Sequence, residues 1–253
     1  MTVIGRASRA LLGFAAALVL CASPARGTPT THIWAPSTDV QPFKLVHVTA
    51  DMYLPVEYDA AGDRIGSVTN LGLTVGVLPF KTLNMEVGLD HKSGLGRLDD
   101  HPLYGNVKVG TPEGAFGKLT PAVALGVYDV GTNSDLTDFN VFYAMIAKSF
   151  TVGSVPLGRV SVGYFGGNSK LLVGRDGTAD EKGLLLAWER TMSEISDKLW
   201  VCVESMGTES VYGTVNAGAA WKFAPNVALL AGYDHFNNPD YPGAATVQVD
   251  IDF

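Results

Sequence analysis

The sequence predicts an all-β chain, an up-and-down antiparallel transmembrane β-barrel of about twelve strands. Three observations carry that prediction. Residues Ala245–Phe253 alternate strictly, with Ala245, Val247, Val249, Ile251 and Phe253 set against Thr246, Gln248, Asp250 and Asp252. A period of two places all the apolar residues on one face of a strand and all the polar ones on the other. From Lys44 onward the chain falls into similar alternating segments divided by turn residues. The connections between those segments also sort by length, short ones on one side and long polar ones on the other, as transmembrane barrels do.

At the start of the chain, Arg6 and Arg9 precede the apolar run Ala10–Ala22, and Ala25-Arg26-Gly27 supplies small residues for signal-peptidase cleavage. The run is shorter than the roughly 20 residues of a spanning helix, so residues 1–27 are expected to be a cleaved signal peptide. Removing them takes away Arg6, Arg9 and Arg26 and no acid, which moves the formal charge from −7 to −10. Cys202 is then the remaining cysteine, and no intramolecular disulfide can form. An acidic exported chain without a basic stripe is not a nucleic-acid binder.

Residues 28–43 hold three prolines and show no period, so they are expected to form an extended periplasmic lead-in at or just inside the barrel mouth, with Trp34 shielded from water. The barrel is expected to occupy residues 44–253. Its strands are read as Lys44–Val56, Ser67–Pro79, Leu83–Lys92, Leu103–Gly110, Leu119–Val130, Phe139–Phe150, Gly158–Phe165, Gly183–Arg190, Lys198–Ser205, Tyr212–Phe223, Val227–His235 and Ala245–Phe253. The first shows the code plainly, Val46, Val48, Ala50, Met52 and Leu54 against His47, Thr49, Asp51 and Tyr53. The even count suits a single-chain bacterial barrel. Short connections such as Phe80–Thr82 and Ala224–Asn226 contrast with the long Gly166–Lys182. With Phe253 at the periplasmic rim, parity sends Trp188, Trp221 and Phe223 outward near that rim, and Phe139, Tyr164 and Tyr233 outward near the other. Such rings collect at the two headgroup levels.

An alternating strand that ends on Phe253 resembles the terminal strand of Gram-negative outer-membrane β-barrels. The resemblance implies an outer-membrane location, a barrel assembly machinery that reads Val247, Val249, Ile251 and Phe253 as a signal, and lipopolysaccharide as a neighbour. The stretches GYDHFNNPDYPGAATVQVDIDF and Tyr143–Ser149 are similar to uncharacterised outer-membrane proteins of anaerobic bacteria, which brings no activity.

Every second strand residue faces the lumen. The expected lining is Asp51, Glu86, Asp90, Glu189, Glu204 and Asp234 against Lys108, Lys148 and Arg159. Eight strands are filled by their own side chains and sixteen leave a channel, so twelve leave room for a narrow lumen. Small residues on the same parity, such as Gly72, Gly76, Gly126 and Gly218, would add space. An acid-rich lining favours cations. The function expected is a narrow passive channel for small solutes or cations, with a closed structural or surface-interaction barrel as the alternative.

No catalytic residue, metal or cofactor is expected. Tyr233-Asp234-His235-Phe236-Asn237-Asn238 resembles the His-x-Ser-Asn end of outer-membrane lipid A deacylases, which keeps a lipid hydrolase in view. However, Asn237 stands at the nucleophile position and cannot attack an ester. His91, Asp99, Asp100 and His101 share one loop, but their spacing matches no metal site.

Overall fold

The computed structural model describes residues 31–58 and 62–253, so the expected signal peptide lies outside the described residues. Twelve strands close into a single up-and-down antiparallel barrel in which each strand pairs with its neighbours in sequence and β12 returns to β1. They are β1 (Val46–Pro55), β2 (Val68–Gly76), β3 (Asn84–Ser93), β4 (Leu103–Thr111), β5 (Ala122–Gly131) and β6 (Val141–Val152). The second half is β7 (Val155–Gly166), β8 (Lys182–Thr191), β9 (Leu199–Met206), β10 (Thr214–Ala224), β11 (Val227–Phe236) and β12 (Ala244–Asp252). The seam sets Val48 opposite Ile251 and Ala50 opposite Val249. Closure removes every sheet edge, so no backbone row is left unpaired where water is absent.

Side chains are distributed in the reverse of a soluble core. Leu71, Leu89, Phe142, Ile146 and Leu184 are all more than half exposed on the outer face. Buried inside are His47, Glu86, Lys108, Glu189, Glu204, Asn216 and Gln248. A continuous apolar belt of this kind is stable against lipid and unstable in water. Along β12, Thr246, Gln248 and Asp252 are buried while Val247 is exposed.

The two rims differ. At the turn rim, β6 and β7 are joined through Gly153 and Ser154, and β10 and β11 through Pro225 and Asn226. Gly153 takes φ +61, a left-handed value that glycine reaches without steric cost. Asn226 donates from Nδ2 to the carbonyl of Asp252, tying that turn to the end of β12. At the loop rim the connection between β7 and β8 is the longest, and a short 3-10 turn, Gly96–Asp100, lies between β3 and β4.

Strand β6 departs from the expected parity. Asn140 has φ +48, so the chain turns there and the strand begins only at Val141. Val141, Tyr143, Met145 and Ala147 are buried, and Phe142 and Ile146 are exposed. Phe139 therefore packs inward beside Tyr212, with ring centroids 5.8 Å apart, and does not join the outer girdle. Both faces of this strand are apolar, which is why alternation alone did not fix its side.

Candidate functional site

The lumen is occupied by the chain's own N-terminal segment. Residues 31–43 begin at the turn rim, where Phe43 bridges Gly76, and continue up the inside of the wall. The segment thus enters the mouth, as expected, and its tip reaches further, to the level of Tyr53 and Phe236. A turn at residues 32–35, closed by the Thr31–Pro36 bridge and by His32 N–H donating to the Ala35 carbonyl at 2.9 Å, forms its tip. Trp34 stands in the loop-rim half, edge-on to Tyr53 at 5.1 Å and Phe236 at 5.9 Å.

Glu204 holds this tip. Its carboxylate accepts the backbone N–H groups of Ile33 (3.0 Å), Trp34 (2.7 Å) and Ala35 (3.0 Å). Asn216 Nδ2 adds a fourth donor at 2.7 Å. Hydrogen bonds to a buried carboxylate are roughly twice as strong as neutral ones, so one side chain fixes three consecutive backbone amides. Gln248 Nε2 donates to the Ile33 carbonyl at 2.7 Å, and Ile33 packs on Cys202 and Leu230.

Lower down, Arg159 joins wall and segment. Its Nη1 donates to Asp39 at 2.8 Å and its Nε to Glu189 at 2.7 Å. Glu189 also accepts from Trp200 Nε1 and lies 3.4 Å from His32 Nε2. Lys108 Nζ donates to the Asp39 carbonyl and pairs with Glu86 at 3.1 Å, and Gln41 N–H donates to Glu86 at 2.7 Å. Small residues make this fit possible. A Cβ on Gly76 would lie 1.9 Å from the Pro42 carbonyl oxygen, and one on Gly218 would lie 3.0 Å from Ile33 Cδ1. At Gly126 the space is taken by Tyr143. Gly76, Gly126 and Gly218, expected to widen a pore, instead receive the segment or a large neighbour.

Among the described residues the lumen keeps a cavity of about 670 Å³, lined chiefly by β1–β5. Its lining includes Ile65, Leu95, Tyr241 and Pro242 from the loop rim and no residue from the connections of the turn rim. It reaches down to His47, Thr74 and Glu86. At that level Gln41 and Pro42 lie against Glu86 and Gly76.

The expected lining residues divide into groups. Asp51, Glu86, Asp90 and Lys108 face the cavity. Arg159, Glu189 and Glu204 contact the segment, as above. Asp234 is wholly buried, and neither carboxylate oxygen has a hydrogen-bond partner among the described residues. Lys148 is a correction, because it lies on the exposed parity of Phe142 and Ile146. It bends to the turn rim, pairing with Glu113 at 2.9 Å and donating to the Lys118 carbonyl at 2.7 Å. Burial opposes ionisation of Glu113, but Lys148 and Ser149 outweigh it and hold that carboxyl below its ordinary value. Sequence reasoning missed Asp39 and the Ile33–Ala35 amides, since neither belongs to a periodic element.

The hydrolase and metal alternatives gain no geometry. Asn237 donates its amide to the carbonyls of Met206 and Thr208. Asp99 accepts from the N–H groups of Gly94 and Leu95, and His101 bonds Asn133. No group of three or more metal-ligating side chains occurs among the described residues.

Among solved structures, the chain is similar to an outer-membrane channel of Pseudomonas putida F1, with 12% identity and TM-score 0.48 over 85% of this chain and 97% of that one. It is also similar to the NanC porin, with 9% identity and TM-score 0.46 over 82% and 98%. A third is the outer-membrane protein Omp33 of Acinetobacter baumannii, with 11% identity and TM-score 0.42 over 83% and 97%. No family model and no curated protein sequence matches the chain.

Proposed function

We propose that the protein is an outer-membrane barrel acting as a narrow, cation-preferring channel, held shut in this conformation by residues 31–43. The loop rim faces outward and the turn rim faces the periplasm in this reading, following the usual asymmetry of such barrels. The apolar outer belt supports a bilayer setting. One observation carries the channel itself. A cavity that holds Asp51, Glu86 and Asp90 descends from the loop rim to the level of His47 and Glu86, and what lies across the remaining path is a segment held by side-chain bonds rather than a strand of the wall.

The test is planar-bilayer recording of the folded full chain beside an Arg159→Ala/Glu204→Ala variant. The wild type should be nearly silent and the variant should give discrete steps, with a reversal potential in a salt gradient that indicates cations. An anion-directed reversal potential would remove the selectivity. Silence from both, with folded barrel verified in the bilayer, would remove the channel and favour the second reading. In that reading the barrel is closed and its loops bind partners or lipopolysaccharide, and the number of bonds between segment and wall supports it.

A further inference from the structure

We propose that the cavity along β1–β5 is a binding site for a small organic cation with an aromatic or apolar body. This deepens the cation-preferring reading but does not need conduction, since a barrel that stays shut can still bind from its open mouth. The volume, about 670 Å³, falls within the roughly 300–1,000 Å³ of small-molecule pockets. No described residue of the turn-rim connections lines it, and Gln41 and Pro42 lie against Glu86 and Gly76 at its lower end, which suits a site that holds a ligand.

The charge of the lining selects the sign. Glu86 is matched by Lys108 at 3.1 Å, Asp129 by Lys92 at 2.6 Å, and Asp250 by His47 at 3.3 Å. Asp51 and Asp90 have neutral donors instead. Asn70 Nδ2 donates to both, at 3.0 Å and 3.2 Å, Thr49 Oγ1 donates to Asp51 at 2.6 Å, and Asn106 Nδ2 donates to Asp90 at 2.7 Å. Among the described residues neither carboxylate is in an ion pair, so this acidic pair faces the cavity with no cation in contact. An occupant that neutralises it must be a cation.

The walls select the body. Trp34, Tyr53, Tyr128, Tyr212 and Phe236 all line the same cavity as the two acids. Aromatic faces attract organic ammonium groups within about 6 Å, and tryptophan does so best. A hydrated metal ion would gain little from them, and no metal-ligand group is present among the described residues.

The experiment titrates benzyltrimethylammonium into the folded full chain in a non-ionic detergent, read by calorimetry against a detergent-only blank, with benzyl alcohol and benzoate as neutral and anionic counterparts. Saturable binding of the ammonium should occur, with benzyl alcohol weaker and benzoate unbound. Asp51→Asn/Asp90→Asn should weaken the ammonium by about tenfold or more, the loss expected when a charge-assisted contact is removed. If the double variant does not fold, each single substitution should still weaken it and leave benzyl alcohol unaffected. No saturation, equal binding of benzoate, or unchanged affinity in a folded variant would overturn the site. Binding by a barrel that never conducts would sustain the site and discard the channel.

Discussion

Arg159, on the wall strand β7, donates from both terminal nitrogens to the Asp39 carboxylate, joining the barrel to the segment inside it. Both side chains are largely screened from water. The pairing lies across 120 residues of sequence, so it is tertiary structure in the strict sense.

Replacing Arg159 with alanine removes this clamp and leaves Asp39 beside the wall without its cation. Hydrogen bonds to charged groups contribute about 1.5–3 kcal/mol each, so the segment should loosen by at least that much. Acrylamide quenching should register the change through Trp34, measured in a background where Trp188, Trp200 and Trp221 are replaced by phenylalanine. Unchanged quenching would mean that Glu204 alone holds the tip.

Gly76→Val tests the close approach at the turn rim. Its Cβ would meet backbone atoms of Gln41 and Pro42, which cannot rotate away as a side chain end does. Forcing such an overlap costs about 1–3 kcal/mol. The barrel should still form, because the wall at Gly76 is otherwise regular, while cross-linking between cysteines placed at positions 39 and 159 should fall. Undiminished cross-linking would show that the segment leaves by another path.

The β12 faces provide a sharper contrast. Val249 is on the outer row and Gln248 is buried inside, although they are neighbours. A lysine at mid-depth on the lipid face costs about 2–4 kcal/mol, so Val249→Lys should lower refolding stability in lipid by that amount. Gln248→Lys should cost less in the membrane, but it removes the donor to the Ile33 carbonyl. Equal losses in urea titrations of the two variants would invert the assigned faces.

How much of this was legible before the structure follows from where each bond lies. The strands could be read because lipid outside and polar groups inside impose opposite demands on alternate residues. Once register is fixed, so are the wall pairs, since Glu86 lies opposite Lys108 and Arg159 opposite Glu189. The lumen segment could not be read, because Ile33, Trp34 and Ala35 reach Glu204 through backbone amides that every residue possesses. In β6 both faces carry apolar residues, so alternation did not fix which faced inward, and the strand takes the parity that puts Phe139 inside and Lys148 outside.

A pH effect is expected at the loop rim. Glu57 accepts from the Tyr233 hydroxyl at 2.7 Å and from Gly243 N–H at 3.1 Å, and these bonds, the tyrosine's first, hold its carboxyl below the ordinary value. A depressed carboxylate stabilises the fold above its unfolded value, and the contribution is lost as pH falls through the depressed one. Carbon NMR of Glu57 should therefore titrate below about 4.3, the free glutamate value, and Tyr233→Phe should move it back up. A midpoint insensitive to Tyr233→Phe would remove that hydroxyl as the cause.

The segment that fills the lumen runs directly into β1, and β1 is also one side of the seam with β12. Filling the interior and closing the wall are therefore two events on one stretch of chain. If the seam zips first, the tip at residues 32–35 must enter end-on past Gly76. If it zips last, β12 docks on a β1 whose lead-in is already bound to Glu204 across the lumen. In either order β1 is the timing element of assembly, and a substitution that weakens its hold on β12 should delay the arrival of Trp34 among its aromatic neighbours.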